Sequence, residues 1–279
     1  MAVDDQIRLI VNADDFGISR SANSAIRKAH LEGILTSASL MVNGDRVDEA
    51  VAIAKANPLL GVGVHLTLVS GTSTLKPSEI IGVVNQKFEF DQSPVRAGIR
   101  YYFSRSLHHY IRQEINAQIR LFKTYDLPID HLNGHLNFHL HPTVFEFIKR
   151  DVGELGVRAV RMTRDPLFQN LGLAGGRYFY RLSHALIFNI LSARSRKPLE
   201  RRGFFCTDAT YGLLQSGHIT ERYLLKLLAK LKPGTYELYA HPDEGKHRHE
   251  LEALTSPKVK KLIRDRGIIL CRYSDFEND

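Results

Sequence analysis

Short apolar runs typical of buried strands alternate with helix-like segments along nearly the whole chain. The runs cover residues 8–12, 37–42, 61–68, 129–133, 159–162, 236–240 and 268–271. Parallel strands need a long crossover connection, usually a helix, so this alternation predicts βα units and a parallel sheet. Because about seven strands occur without a break in composition, we predict an α/β fold in which residues 1–279 form a single distorted TIM-like (β/α) barrel.

Helical periodicity places two of the crossover helices. Ser19 suits the N-cap of a helix that ends near Gly33. Apolar residues recur every three or four positions over 101–125, which predicts one longer helix there. Residues 71–93 and 167–217 fit the βα pattern poorly, and we expect them to be insertions over one end of the barrel.

Residues 177–202, within the second insertion, combine an apolar stripe with a basic end. A helix that lies on an anionic membrane has this pattern. A helix packed on the barrel with a solvated basic tail gives the same stripe and is the commoner case. The sequence leaves both interpretations open.

Composition limits the class of protein. The chain has 43% apolar residues, ordinary for a packed core, and a net charge of +8, which favours anionic partners or surfaces. Cys206 and Cys271 lack a CxxC spacing, so we expect neither a disulfide framework nor a cysteine zinc site. No apolar run approaches the ~18 residues of a membrane span, and the N-terminus does not resemble a signal peptide. We expect a cytoplasmic protein, with peripheral contact with the inner membrane as an alternative.

Metal-binding side chains occur where the predicted strands end. They are Asp14, Asp15, His65, His131, His135, His139, His141 and His241. A single strand histidine is more often a hydrogen-bonded core residue, but the carboxyl ends of parallel strands meet at one edge of the sheet. One aspartate and two histidines can hold a divalent cation and leave positions open for water and substrate. A neighbouring carboxylate could then accept a proton from the activated water.

Five motifs follow one another in this order: "LIVNADDFGIS" (9–19), "GILTSASLMVNG" (33–44), "GVGVHLTLVSG" (61–71), "DHLNGHLNFHLHP" (130–142) and "YELYAHP" (236–242). In these motifs the chain resembles the YdjC-like carbohydrate deacetylases. It is most similar to the branch associated with hopanoid biosynthesis, which it also resembles in "AGIRYYFSRSLHHYIRQEINAQI" (97–119) and "TDATYGLLQSG" (207–217).

The resemblance implies a TIM-like barrel that uses one divalent metal ion, zinc or magnesium, to remove acetyl groups from N-acetylated amino sugars. It implies Asp15, His65 and His135 as metal ligands, Asp14 as general base and His241 as candidate general acid. The expected substrate-binding or supporting residues are His139, Asn137 and Asp208. Family members often carry a histidine at the position of Asn137 and a polar residue at Leu136, so these two positions bear on substrate preference.

The predicted substrate is N-acetylglucosamine on a hopanoid glycolipid, with an anionic membrane as a peripheral partner. Three alternatives stand beside it: a deacetylase of soluble chitin-type oligosaccharides, a metal-dependent phosphoesterase, and a barrel that binds metal and sugar without turnover. We expect no nucleic-acid partner, and a homodimer is an open alternative to a monomer.

Overall fold

The computed structural model describes residues 5–276, so both ends of the predicted domain, 1–279, lie outside the described residues. Its parallel strands are β1 (Ile7–Phe16), β2 (Ser37–Leu40), β3 (Gly61–Leu66), β4 (Leu132–Gly134), β5 (Ala209–Tyr211), β6 (Gly234–Ala240) and β7 (Ile269–Cys271). The strands form one sheet in the order β4-β3-β2-β1-β6-β5, and β7 pairs with the first residues of β1. This curled sheet forms a half-barrel.

The sequence predicts a single distorted TIM-like barrel of about seven strands, and the described residues form seven strands that curl into a half-barrel. The expected strand at 159–162 makes only isolated bridges, from Val160 to Leu132 and from Ala159 to Phe205. Conversely, β5 lies inside 167–217, which the sequence predicts to be an insertion. With only three residues, β5 is too short to show the alternation that identifies a strand.

Ten helices among the described residues connect and cover the sheet. They are α1 (Arg20–Glu32), α2 (Val47–Ala56), α3 (Pro94–Phe103), α4 (His108–Lys123), α5 (Pro142–Asp151), α6 (Leu167–Leu171), α7 (Tyr178–Glu200), α8 (Glu221–Lys230), α9 (Arg248–Thr255) and α10 (Pro257–Asp265). Within 5–276, none of them is long and apolar enough to cross a membrane.

Local sequence explains where several helices begin. The Ser19 hydroxyl accepts a hydrogen bond from the Ala22 amide and caps α1, as predicted. The single helix expected over 101–125 is instead two helices separated at Ser104. Ser93 caps the first of them, and Pro94, in its first turn, has the backbone torsion that a helix start requires.

The alternation of side chains along β1 separates two kinds of interior. Leu9, Val11 and Ala13 join the main hydrophobic core. Residues 10, 12 and 14 point to the opposite face, where buried Asn12 and Asp14 take part in a hydrogen-bonded polar network. The apolar core therefore holds the fold together from one side of the sheet, and the polar groups collect on the other.

Candidate active site

A bulge near the end of β1 positions two adjacent acids. In the pairing with β2, Ala13 lies opposite Ala38 and Phe16 opposite Leu40, so β1 has one extra residue there. Asp15 adopts a left-handed conformation at φ 63°. In a regular strand Asp14 and Asp15 would point to opposite faces, but a bulge redirects the side chains next to it. Both carboxylates consequently line the same cavity.

The three predicted ligands lie close together beside this bulge. The Asp15 Oδ1 atom lies 2.9 Å from His135 Nδ1 and 3.2 Å from His65 Nε2. One ligand atom from each of the three residues lies within 4.8 Å of the other two. These residues come from β1, from β3 and from the turn after β4, so the parallel sheet brings them to one edge. The group has the donor set that divalent zinc and related ions prefer.

The orientation of His65 also fits a cation at this position. Its Nδ1 lies 2.6 Å from Asn133 Oδ1, and the Asn133 amide group donates to Asp14 and Ser39. Since an amide oxygen only accepts, Nδ1 carries the proton and a neutral His65 directs its Nε2 lone pair toward Asp15. That nitrogen is buried and has no hydrogen-bond partner among the described residues. A cation between His65 and Asp15 would satisfy both atoms.

A proton on His65 Nε2 could satisfy these two atoms in place of a cation. Burial lowers the pKa of His65, but the nearby carboxylates of Asp14 and Asp15 outweigh it and raise the pKa overall. Burial likewise opposes ionisation of Asp15, yet its hydrogen bond with His135 and the nearby His65 ring hold the pKa of its carboxyl well below the usual range. The site is therefore electrostatically suited to a positive charge.

Asp14 is held by a buried arginine that the sequence interpretation missed. Arg161 donates to Asp14 Oδ2 over 2.7 Å and to Asp14 Oδ1 over 2.9 Å, and it also donates to Glu237 Oε1. Its guanidinium lies 4.3 Å from the ring centroid of Tyr239. Burial tends to raise the pKa of Asp14, but the Arg161 charge outweighs it and the pKa falls well below the usual range. Asp14 is thus an ionised carboxylate with a fixed orientation.

The two oxygens of Asp14 differ in their hydrogen bonds. Oδ1 accepts from Arg161, Asn12 and Asn133, whereas Oδ2 accepts from Arg161 alone among the described residues. Oδ2 therefore retains capacity to accept a further proton. The signal that could have revealed this network is a charged residue inside each of two apolar strand runs: Arg161 in "AVRMT" and Glu237 in "YELYA".

The remaining predicted site residues do not belong to the ligand group, and each has its own surroundings. His241 follows β6 and lines the cavity, and its backbone amide donates to Glu250 over 2.6 Å. Asn137 also lines the cavity, but its side chain already bonds to Thr163 and Tyr239.

His139 is completely buried, and its Nε2 donates to the backbone carbonyl oxygen of Arg161. Burial, reinforced by the Arg161 charge, lowers its pKa to about 3, so it is a neutral support behind the site.

Asp208 is not brought to this site. It accepts from the Thr235 amide and pairs with Arg196, next to the first residues of β6. The cavity is at the carboxyl end of β6, so Asp208 lies at the opposite edge of the sheet. The predicted substrate-binding or supporting role of Asp208 is therefore wrong. Asp208 precedes β5, whereas the acids and histidines that line the cavity lie at or after the carboxyl ends of strands.

The cavity that contains the acids has a volume of about 600 Å³. Asp14, Asp15, His135 and His241 provide polar lining, and α3 and α7 provide apolar walls. The wall residues on these helices are Pro94, Val95, Gly98, Tyr180, His184, Ile187, Phe188 and Leu191. Leu136, 47% exposed and at φ 52°, also lines the cavity directly after His135. A cluster of acids and histidines therefore adjoins a largely apolar groove.

Comparison with known proteins places this geometry in a family. A family model described as "YdjC-like protein" matches residues 8–265. The chain belongs to the YdjC-like family. A carbohydrate deacetylase of Brevibacillus brevis is 36% identical to this YdjC-like chain over 142 residues, which cover 51% of the chain and about half (54%) of that relative. A carbohydrate deacetylase of Thermoanaerobacter pseudethanolicus is 25% identical over 287 residues, covering 95% of this chain and 98% of the relative.

Solved structures share the fold of this YdjC-like protein. A candidate cellobiose-phosphate cleavage protein of Enterococcus faecalis superposes with a TM-score of 0.72 at 22% identity, over 97% of this chain and 98% of that one. An uncharacterised protein of Agrobacterium tumefaciens gives a TM-score of 0.50 at 13% identity, over 95% and 86% of the two chains. At these identities the likeness concerns the fold alone.

Proposed function

We propose that this YdjC-like protein is a metal-dependent hydrolase that removes the N-acetyl group from an N-acetylated amino sugar. The observation that carries the proposal is the convergence of Asp15, His65 and His135 beside the ionised Asp14, at one cavity. The names of the two relatives, both carbohydrate deacetylases, support the same reaction.

Asp15, His65 and His135 would hold one divalent ion, zinc or magnesium. The buried, unpartnered Nε2 of His65 supports this assignment, because it already faces the carboxylate that would share the ion. When bound, such an ion supplies Lewis-acid chemistry, lowering the pKa of water and polarising an acetamide carbonyl. The chemistry left to the protein is to orient the substrate and move protons.

Asp14 would accept the proton of the attacking water on Oδ2. Arg161 fixes the carboxylate by two hydrogen bonds, so its reactive oxygen keeps one direction during the reaction. His241, on the cavity wall, would donate a proton to the sugar nitrogen as the carbon–nitrogen bond breaks. Water then contributes its oxygen to acetate, and the amino sugar leaves with a free amine.

The substrate that we favour is lipid-linked, with N-acetylglucosamine on a hopanoid glycolipid as the specific candidate. The apolar walls on α3 and α7 support it, since a sugar at the acids would place its aglycone against Ile187, Phe188 and Leu191. A soluble chitin-type oligosaccharide would present hydroxyl groups to the same walls and leave them unpaired. The lipid-linked substrate therefore matches the groove better.

The test of the reaction is acetate release by the metal-loaded protein. We expect Asp14→Asn to lower kcat by at least about a hundredfold, the usual contribution of a general base, with bound metal unchanged by elemental analysis. Asp208→Asn is the matched control, because Asp208 is a surface aspartate away from the cavity, and it should keep full activity. Undiminished turnover of Asp14→Asn would refute the role of Asp14.

Substrate comparison separates the alternatives. We expect faster acetate release from an N-acetylglucosaminyl lipid in detergent micelles than from chitin oligosaccharides. The opposite order would assign the protein to soluble glycans. Phosphate release from a phosphorylated sugar would indicate a phosphoesterase, and metal and sugar binding without turnover would indicate a non-catalytic barrel.

A further inference from the structure

Two helices that border the cavity expose apolar side chains to solvent. We use the name apolar rim for the large apolar and aromatic residues on α3 and α7 that are each at least 45% exposed: Val95, Ile99, Tyr102, Phe103, Tyr178, Phe179, Leu182, Leu186, Ile187 and Ile190. Their spacing of three, four, seven and eight positions places them on one face of each helix. The rim therefore consists of one apolar stripe on each helix rather than of scattered residues.

Unlike an ordinary surface helix, α7 exposes much of its apolar face. Its buried side is formed by Arg181, Ala185, Ser192, Ser195 and Leu199, which are mostly polar or small. Phe188 and Leu191 are partly buried against the main core, but five other large apolar residues, Phe179, Leu182, Leu186, Ile187 and Ile190, face outward. A helix that only packs on a barrel buries its apolar stripe. The packed-helix interpretation of residues 177–202 therefore leaves the outward stripe unexplained.

The rim is continuous with the mouth of the cavity. Val95 of α3 and Ile187 of α7 belong both to the rim and to the cavity lining. Both helices pack against α5, which places them on the same side of the molecule. Whatever covers the rim thus has direct access to the groove that leads to Asp14 and Asp15.

Charge indicates what covers the rim. Residues 92–113 and 166–199, which contain α3 and most of α7, carry nine lysines and arginines and no aspartate or glutamate. Four of the nine are paired with carboxylates outside these ranges or buried: Arg96, Arg112, Arg181 and Arg196. Arg105, Arg177 and Arg194 are exposed next to the rim. Two copies of this chain would bring like charges together. A bilayer with anionic headgroups offers hydrocarbon to the apolar stripes and negative charge to the arginines.

We propose that the apolar rim docks this protein on an anionic membrane surface, so that the cavity opens toward the lipid. The docking needs no catalytic step, and it holds or fails independently of the proposed deacetylation. It goes further than a single interfacial helix, because α3 and α7 together form the contact and the groove between them receives the lipid-borne part of a ligand.

Vesicle flotation of the full chain, without substrate, tests the proposal. We expect the protein to float with vesicles of phosphatidylglycerol and phosphatidylcholine, and to float less as salt is added, because screening weakens the arginine contribution. Phe179→Ser combined with Leu186→Ser should weaken partitioning by at least roughly tenfold, since two exposed side chains lose their insertion into hydrocarbon. Neither residue lines the cavity.

Leu59→Ser is the matched control, because Leu59 is 72% exposed but lies between α2 and β3, outside the rim. It should float like the wild type, and so should Asp14→Asn. Arg105→Gln combined with Arg194→Gln should reduce binding to anionic vesicles and leave the weak binding to pure phosphatidylcholine unchanged.

Three outcomes would overturn the proposal. One is failure of the wild type to float with anionic vesicles, and another is equal loss of binding in Leu59→Ser and in the rim variant. The third is a dimer, detected by light scattering, that dissociates when the rim is substituted, since it would assign the rim to a second copy of this chain. Because flotation is measured without turnover, a failed deacetylase assay leaves the result unaffected.

Discussion

At the scale of single residues, Arg161 is the charge on which the site depends. It is fully buried between two carboxylates, with Asp14 at 2.7 Å and Glu237 at 2.6 Å. The Tyr273 hydroxyl donates to the other oxygen of Glu237, so this second carboxylate is also fixed. A buried ion cluster adds little net stability when complete, but removal of one partner leaves an uncompensated charge.

Arg161→Met should therefore lower the free energy of unfolding by about 3–5 kcal/mol, measured by urea denaturation. Adding Glu237→Gln to this variant should recover part of the loss, since one of the two unpaired carboxylates is neutralised. Arg112→Met is the matched control, because its pair with Asp151 is partly exposed and should contribute at most about 1 kcal/mol. Equal losses in Arg161→Met and Arg112→Met would contradict the argument.

The strand-end pattern leaves eight candidate acids and histidines, and the resemblance to the YdjC-like family selects Asp15, His65 and His135 from them. The structure brings these three side chains together at the edge where the parallel strands end. The supporting residues are harder to predict. The partner of Asp14 is 147 positions away in the sequence. Such a pairing depends on the sheet order, which periodicity does not determine. The bulge at Asp15 likewise depends on pairing with β2.

At the scale of elements, Asp165 links α6 to the loop after β5. Asp165 is 1% exposed. The carboxylate accepts hydrogen bonds from the side-chain amide of Asn170 over 2.7 Å and from the backbone amides of Gly212 and Leu214. That loop contributes Leu213 to the cavity wall. Burial raises the pKa of Asp165 from 3.8 to about 6, although these hydrogen bonds act in the opposite direction.

The raised pKa of Asp165 gives the pH dependence a definite sign. Between about pH 4 and 6 the folded state binds more protons at this carboxyl than the unfolded state, so stability falls as pH rises. Wild type should lose about 3 kcal/mol relative to Asp165→Asn across this range, because each pKa unit corresponds to about 1.4 kcal/mol. Urea denaturation of both proteins at pH 4 and pH 7 measures the difference, and parallel pH profiles would contradict it.

Prediction of the strands succeeds where an apolar run marks them. The runs that became β1, β3 and β6 contain enough apolar residues to be recognised, and the structure confirms strands there. The break at Ser104 was missed because apolar periodicity continues from α3 into α4, while the chain makes a short turn between them. β5 was missed because "ATY" forms no apolar run, and its place in the sheet is defined by hydrogen bonds to β6, which sequence alone does not supply.

At the scale of the whole molecule, the predicted ion would connect three separated parts of the sheet. β1, β3 and the turn after β4 each provide one ligand, and β2 lies between the first two. Metal binding is therefore coupled to the folded arrangement of the half-barrel, because an unfolded chain does not hold the three residues together. A ligand that binds only the folded state stabilises it in proportion to the logarithm of its concentration.

Addition of zinc or magnesium to chelator-treated protein should consequently raise the Tm. At about a hundred times the Kd the stabilisation is about 2.7 kcal/mol, which corresponds to several degrees for a chain of this size. Asp15→Asn should abolish the rise, and it introduces little backbone strain, because asparagine also tolerates the left-handed conformation at φ 63°. Asp14→Asn should keep the rise, since Asp14 is predicted to accept a proton and not to bind the ion. An equal rise in Asp15→Asn would place the ion at other residues and refute the three-ligand site.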